Sequence, residues 1–395
     1  MTVRANKPAF NIREKLKELT HSIGLKGREL MGAATVQEAR DLVSAGRRNL
    51  LINGAMTVDQ RNNGSAMTAT TAAEYCLDRW RTVSSTSNAF SVQRVNRADV
   101  TPPEGFSHSM KITSSAITSV GASDYYVIQQ RIEGNTLPGF CNSQTPITIS
   151  FWVRSSLTGK YGGAWTNVGY TQYYPFQFNI NNANTWEYKT ITVPGSGNNY
   201  IDGNSQSAVL MISLGAGSDY SEPVSGGWTL QTAFTADDST NFVDNTGDTK
   251  TMYLTGVQAE VGKNATEFEH RFYGEELALC QRYYQRNKVD SGNYTAFISG
   301  TAYSAGTFYG TYYLQTPMRT SPTSMNYSSL SDFRIIQSTS INIAPSSMLI
   351  NNGSGTQTVR IEATTPGNTG LSALGGAWIQ ANNTTSAWID FSAEL

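Results

Sequence analysis

The chain has 395 residues and a formal net charge of -1, and only 15% of its residues are charged, while Gly, Ser, Thr, Asn and Tyr are abundant. This length exceeds what one hydrophobic core usually supports, so we expect two or three packed units, and the low charge argues against a disordered chain. The three widely spaced cysteines, Cys76, Cys141 and Cys280, argue against a disulfide framework or a zinc site.

Residues 1 to 30 lack the apolar stretch of a signal peptide, and no run of about 18 apolar residues occurs in the chain. We therefore expect a soluble protein that is made in a reducing cytoplasm, does not insert into a membrane and keeps its cysteines as free thiols.

The N-terminal segment is basic, because residues 1–48 hold ten Lys and Arg against five Asp and Glu and the remainder holds 19 against 25. Ile12, Leu16, Leu19 and Ile23 follow one another at spacings of four, three and four residues, which predicts an amphipathic helix. This helix either packs on its own body, or trimerises or inserts into another protein, since so short a seam is marginal alone. The interleaved acids favour an acidic protein surface over nucleic acid as its partner. The predicted anchor and oligomerisation residues are Phe10, Ile12, Leu16, Leu19, Ile23 and Leu25.

From Asn49 the sequence changes to short alternating runs separated by turn residues, which predicts many antiparallel strands. Without a helical period between them, these runs favour a β-sandwich or jelly roll over residues 49–271. The predicted strands are Tyr125–Ile132, Ile147–Val153, Tyr188–Val193, Ala208–Leu214 and Met252–Val257.

A helix over Glu275–Asn287 is predicted next, because Leu277, Cys280 and Tyr284 form an apolar face. We assign residues 272–289 to a linking helix and 290–395 to a distal β-sandwich domain. Only eight charged residues occur over 290–395, so we expect this surface to be buried in an oligomer or to bind a receptor. The expected fold is mainly β. The strands predicted in this domain are Tyr294–Ile298, Phe308–Leu314, Phe333–Ile336, Thr358–Ala363 and Trp378–Ala381.

Three parts of the sequence resemble bacteriophage tail-fibre and related virion appendage proteins, especially those of marine and cyanobacterial phages. The segments that carry this resemblance are Lys7–Leu19 with Asp41–Gly54, Leu254–Tyr284, and Gln315–Thr323. The resemblance implies that residues up to 271 end a jelly roll of the carbohydrate-binding-module type. It also implies a homotrimeric fibre in the virion, synthesised in the cytoplasm of a bacterial host. The N-terminus would attach to a tail nozzle, adaptor or baseplate, or to a capsid protein, and the distal domain would form the receptor-binding tip.

The titratable residues give little support for catalysis, because the chain has only three histidines, His21, His108 and His270. A glycan depolymerase would need paired carboxylates, for which Glu133, Asp237, Asp238 and Asp244 are the candidates. Acids in such Thr- and Asn-rich loops commonly cap turns, so we predict no enzyme activity. No cofactor or metal site is predicted, although calcium is an open alternative near Asp237, Asp238, Asp244 and Asp248.

Aromatic side chains are the candidates for glycan contact, because sugar rings present apolar C–H faces and Tyr and Trp add a polar group. The alternative for each of them is a place in the core or in a subunit interface. The candidates in the central domain are Trp165, Tyr170, Tyr173, Tyr174 and Trp228. The receptor-facing or trimer-facing candidates in the distal domain are Tyr303, Tyr309, Trp378 and Trp388.

The predicted function is host attachment by a tail fibre that binds a surface glycan or another receptor. Three alternatives stay open: a capsid decoration or head fibre, a glycan depolymerase, and a purely structural connector.

Overall fold

The computed structural model describes residues 48–115, 119–137, 145–195, 200, 203–224, 227–244 and 248–395. Residues Asn49–Leu395 form one compact unit. The anchoring helix stays a prediction, because its residues lie outside the described part of the chain; they are Phe10, Ile12, Leu16, Leu19, Ile23 and Leu25.

The first domain is built from short strands, as the alternating sequence predicts. All five strands predicted between Tyr125 and Val257 are confirmed. The strands are β1 Met67–Thr68, β2 Tyr75–Leu77, β3 Trp80–Ser84, β4 Phe90–Asn96, β5 His108–Ser114, β6 Tyr125–Glu133, β7 Ile147–Ser155, β8 Gly159–Asn167, β9 Tyr173–Ile180, β10 Glu187–Val193, β11 Gln206–Ala216, β12 Ser221–Glu222, β13 Thr235–Ala236 and β14 Thr251–Val261.

Two six-stranded antiparallel sheets form a sandwich in this domain. The first sheet has the order β1-β4-β5-β14-β7-β10 and the second has the order β2-β3-β6-β11-β8-β9. Alternate side chains point inward from both sheets, so that the ring of Phe151 on β7 meets that of Phe178 on β9 edge-on at 5.1 Å. The predicted antiparallel β-sandwich is therefore confirmed for the described residues.

The segment that follows the first domain differs from the predicted linking helix. Helix α1 spans only Tyr273–Gln281, and residues Tyr284–Lys288 form strand β15. Strand β15 pairs with the last strand of the chain, so tertiary pairing overrides the apolar helical spacing of the sequence. Cys280 on α1 packs against Ile52 and Val58 of the first domain.

The distal domain is a second sandwich, in which a three-stranded sheet packs on a seven-stranded sheet. Their orders are β15-β24-β18 and β20-β19-β23-β16-β17-β22-β21. Tyr312 and Phe391 meet across the core with ring centroids 4.8 Å apart. The strands are β16 Ala296–Ala302, β17 Thr307–Tyr313, β18 Ser324–Tyr327, β19 Phe333–Ile336, β20 Asn342–Ile343, β21 Ser347–Ile350, β22 Thr358–Thr364, β23 Gly376–Ala381 and β24 Trp388–Ser392. Single 3-10 turns lie at Gly134–Thr136, Val168–Tyr170, Ser218–Tyr220, Leu330–Asp332 and Pro366–Asn368.

A buried polar network joins the two domains. Arg282 donates to both carboxylate oxygens of Glu133, at 3.0 and 2.6 Å, and the hydroxyl of Tyr283 donates to the same group. Arg79 pairs with Glu394, and its guanidinium lies 3.5 Å from the centroid of the Tyr283 ring. The two sandwiches therefore share one interface instead of being joined by an open linker.

Two further predictions concern the cysteines and the membrane. Cys76 and Cys280 are free and buried, whereas Cys141 lies outside the described residues. Burial raises the pKa of Cys76 to about 12, so its thiol stays protonated at neutral pH. No helix within the described ranges is long and apolar enough to cross a membrane.

Candidate functional site: a groove on the second sheet

A groove of about 250 Å³ lies on the outer face of the second sheet. Strands β3, β6 and β11 form its floor, and the strand registers place Arg81, Gln129 and Met211 side by side in one row across them. A second row runs from Arg131 through Val209 and Thr166 to Tyr173. The side chains that line it are Arg81, Val83, Val127, Gln129, Arg131, Tyr170, Tyr173, Met211 and Phe234.

Aromatic rings form one wall of the groove. Tyr170 follows β8 in a 3-10 turn, Tyr173 begins β9, and Phe234 comes from the segment that crosses the sheet near β13. The rings of Tyr173 and Phe234 lie 6.4 Å apart, and Phe234 stacks on Tyr220 at 5.1 Å. Gly162 is required beneath this segment, because a Cβ there would clash with the hydroxyl of Thr235. The wall is thus held in place before any ligand binds.

Nitrogen donors form the opposite end of the groove. Burial, followed by the charge of the neighbouring Arg131, lowers the pKa of Arg81. The buried Nε atoms of both arginines have no hydrogen-bond partner, and Nη1 of Arg131 donates to the carbonyl of Leu395 at 2.6 Å. The groove thus combines the apolar side chains of Val83, Val127 and Met211 with tyrosine rings and nitrogen donors, a combination that suits a pyranose ring with hydroxyl substituents.

The five aromatic candidates of this domain divide between the two faces of the sheet. Tyr170 and Tyr173 line the groove, where Tyr173 is only 3% exposed, and their contact with a glycan stays a prediction. Trp165 is fully buried in the sandwich core, where its Nε1 donates to the hydroxyl of Tyr200, so its prediction as a glycan contact is wrong. Tyr174 is paired with Trp165 on the core face, because successive side chains of a strand point to opposite faces. Trp228 packs on Tyr174 at 5.9 Å and donates to the carbonyl of Pro194, so both lie away from the groove.

Three of the four distal candidates share the outer face of the seven-stranded sheet. Tyr303 is 65% exposed and contacts Tyr309, with ring centroids 5.3 Å apart. Trp378 is 38% exposed. It lies opposite Ser299, which lies opposite Thr311 on the next strand. Tyr309 is two residues before Thr311 and therefore shares this face. Trp388 instead lies under Arg286 at 3.9 Å, on the three-stranded sheet near the first domain, so it does not belong to this surface.

The carboxylates considered for catalysis or calcium do not line the groove. Glu133 is 1% exposed and uses both oxygens on Arg282. The backbone carbonyl of Asp237 accepts from Gln177, and that of Asp244 accepts from Lys250. Within the described ranges no group of three or more His, Cys, Asp and Glu side chains is arranged to hold a metal ion. The calcium alternative, which also named Asp238 and Asp248, stays a prediction, because residues 245–247 lie outside these ranges.

A second cavity, of about 350 Å³, lies beside the start of α1. It brings together two of the three histidines, with His270 packed on Phe106 and Phe268 at centroid distances of 5.1 and 4.9 Å. The hydroxyl of Ser107 is 2.8 Å from Nδ1 of His108. Sequence spacing gives no sign of this convergence, because the two histidines are 162 positions apart.

Most residues of the groove are not among those predicted from the sequence; they include Arg81, Arg131, Gln129, Met211 and Phe234. One signal was present in Trp80–Ser84: a strand places Trp80, Thr82 and Ser84 on one face and Arg81 and Val83 on the other. Such alternation identifies two faces of a strand but not which strands become its neighbours.

Comparisons with known proteins give distant structural likenesses. No family model matches the chain, and no curated protein matches its sequence. The module TmCBM61, solved with β-1,4-galactotriose, is 10% identical, with a TM-score of 0.29 over 54% of this chain and 99% of that one. A putative sugar-binding protein from Bacteroides thetaiotaomicron is 10% identical, with a TM-score of 0.33 over 54% of this chain and 100% of that one.

A bacteriophage protein is also among the similar structures. It is the enzymatically active domain of tailspike protein 4 of bacteriophage CBA120, at 13% identity and a TM-score of 0.28. The match covers 54% of this chain but only 21% of the tailspike chain. These likenesses are too distant to assign the chain to a family.

Proposed function

We propose that the chain is a carbohydrate-binding attachment protein of a phage virion, acting as a tail fibre that holds host-surface glycans. The groove on the second sheet is the observation that carries the glycan-binding part. It combines an apolar floor with the rings of Tyr170 and Tyr173 and with the side-chain donors of Gln129, Arg81 and Arg131. Sugar rings bind by stacking their C–H faces on aromatic rings while hydrogen bonds fix their hydroxyl groups.

The virion part of the proposal draws on the sequence. The basic segment 1–48 and the fibre-like segments around 254–284 support attachment of several copies to a larger particle. A head fibre or capsid decoration protein is the second candidate, because the same anchor would serve on either surface. Imaging of labelled particles distinguishes them by whether the label lies on the tail or on the head.

Binding without cleavage is the reaction we propose for the groove. A hydrolase would need two carboxylates on either side of the sugar linkage. The lining residues supply arginine, glutamine and tyrosine instead, and Glu133 is committed to the interface between the domains. Incubation of the protein with bound polysaccharide should therefore release no reducing sugar, and release of product would favour the depolymerase.

Calorimetric titration of the full chain with oligosaccharides selected on a glycan array tests the groove. We expect Tyr170→Ala to weaken binding by about fivefold or more, because aromatic contacts of this kind contribute about 1 kcal/mol or more each. Tyr188→Ala is the matched control, since Tyr188 is 43% exposed and lies on β10 of the first sheet, whereas the groove lies on the second sheet. Equal loss in both variants, or none in either, would contradict the assignment.

A further inference from the structure

We infer that the groove selects glycans that carry a carboxylate or sulfate group, and that Arg81 and Arg131 bind this group. The inference rests on the proposed glycan-binding function and specifies the class of glycan.

The strand register brings the two arginines to the same place. Arg81 on β3 lies directly opposite Gln129 on β6, and Arg131 is two residues further along β6. Residues two positions apart on a strand share a face, so the arginines are diagonal neighbours, at about 7–8 Å between Cα atoms. Long side chains at this distance reach a common ligand.

Both guanidinium groups retain unused donors. The Nε atom of each is buried and lacks a hydrogen-bond partner. A guanidinium has five N–H donors in a planar fork, which matches the paired oxygens of a carboxylate or sulfate. An unsatisfied buried donor carries a desolvation cost, and an anionic oxygen that accepts from it removes this cost.

The local charge also favours an anion. The positive charge of Arg131 is one cause, after burial, of the lowered pKa of Arg81. Two like charges at diagonal positions of neighbouring strands repel each other. The nearby carboxylate of Glu394 is already paired with Arg61 and Arg79. A ligand carboxylate or sulfate between Arg81 and Arg131 would relieve the repulsion.

The remaining lining residues fit the sugar that carries this group. Gln129 lies opposite Arg81 and two residues from Arg131 on the same face, and Tyr173 lies at the other end of the row that begins at Arg131. An acidic sugar therefore has its charge at one end of the groove and its C–H face at the other.

Calorimetric titration of the full chain with trigalacturonate, with a sulfated galactan oligomer and with a neutral galactotriose tests the inference. We expect at least one acidic probe to bind about tenfold or more tightly than the neutral one, since hydrogen bonds to charged groups are roughly twice as strong as neutral ones. We also expect binding of that probe to weaken as salt is added.

Variants assign the preference to these residues. Arg81→Gln should weaken binding of the acidic probe much more than binding of the neutral one, and so remove most of the preference. Arg81→Lys should restore only part of this preference, because lysine lacks the planar fork. Arg154→Gln is the matched control, because Arg154 lies on β7 of the first sheet. A melting temperature within a few degrees of the parent confirms that each variant is folded.

The outcomes separate the inference from the proposed function. Binding of neutral glycan that depends on Tyr170, with no preference for acidic probes, would overturn the inference and leave the function intact. A preference for acidic probes that survives Arg81→Gln would also overturn it. Failure of every glycan to bind would instead overturn the proposed function.

Discussion

Arg79 is 1% exposed and connects the first domain to the last residues of the chain. Its guanidinium pairs with Glu394, contacts the Tyr283 ring and donates to the carbonyl of Arg131 at 2.6 Å. Burial opposes the charged form, but the charge of Glu394 together with the neighbouring Tyr283, Tyr75 and Cys280 outweighs it and raises the pKa of Arg79. Removing one partner of a buried ion pair is costly, because the other charge stays buried.

We expect Arg79→Met to lower the free energy of unfolding by about 2–3 kcal/mol. The loss is smaller than for a buried carboxylate left without any partner, because Arg61 still pairs with Glu394 at 2.9 Å. Denaturant titration followed by tryptophan fluorescence measures this loss. Lys111→Met is the control, since its pair with Asp99 is partly exposed and should contribute less than about 1 kcal/mol. Similar losses in both variants would contradict a structural role for Arg79.

Glu133 makes the interface between the domains sensitive to acid. Although burial opposes ionisation, hydrogen bonds from Arg282 and Tyr283 hold the pKa of Glu133 below its ordinary value of 4.5. As the pH falls, the unfolded chain therefore takes up this proton before the folded chain does. The stability that the ionised group contributes is complete above the ordinary pKa and is lost as the pH falls through the lowered one.

The difference in unfolding free energy between the parent and Glu133→Gln measures this contribution. We expect a constant difference of about 1–3 kcal/mol above roughly pH 5, which shrinks below it as the parent loses its charge. Thermal unfolding at a series of pH values between 7 and 3 tests this. In Asp99→Asn, which changes an exposed pair, the difference should stay below about 1 kcal/mol throughout. A gap that widens in acid would refute the assignment.

At the scale of single elements, strand β9 shows how neighbouring aromatic residues acquire different roles. Tyr173 lies on the outer face in the row of Thr166, whereas Tyr174 lies on the core face opposite Trp165. A strand places successive side chains on opposite faces, so one of two adjacent tyrosines reaches the groove and the other stabilises the core.

The pairing of β15 with β24 limits what a truncation of the distal domain can show. A chain that ends after Asn287 keeps most of β15 but loses β24, the only strand that pairs with it, together with Glu394. Such a truncation exposes core residues and unpairs Arg79, so its loss of binding would not identify a recognition surface. Single substitutions on the exposed face of the seven-stranded sheet are the better test.

We expect Trp378→Ala to reduce attachment of the full chain to host cells by about tenfold, because large aromatic residues dominate the energy of contact surfaces. Flow cytometry with labelled protein measures the attachment, and Tyr188→Ala serves as the control. The melting temperature should change little, since Trp378 is 38% exposed. Unchanged attachment with a smaller oligomer in light scattering would assign this face to contacts between subunits instead.

At the scale of the whole molecule, residues 49–395 form one compact unit whose two sandwiches are joined by buried ion pairs. A single shallow groove for a sugar is expected to bind weakly. Attaching several copies to one particle raises the effective concentration of the second and later contacts without any new chemistry.

We therefore expect that the full chain is a trimer and that deletion of residues 1–47 yields a monomer. The deletion should weaken binding to a glycan-coated surface by about 10²- to 10⁴-fold. The affinity of each groove for a soluble oligosaccharide should be unchanged. Light scattering and surface binding measure the two quantities. A deleted chain that is still trimeric would show that 49–395 contains the subunit contacts.

The amino-acid sequence by itself determined the class of fold, because the two-residue period of apolar side chains is a local property of a strand. The runs at Ile147–Val153 and Ala208–Leu214 became β7 and β11, and the weakly charged distal segment became a second sandwich. The tertiary structure alone decided which face of each strand is buried and which strands are neighbours.

That decision placed Trp165 in the core and turned Tyr284–Lys288 from a predicted helix into β15. It also brought Arg81, Arg131 and Tyr173 to one groove although they are distant in the sequence. Pairing between distant strands depends on the packing of the complete core, and no local pattern of residues contains that information.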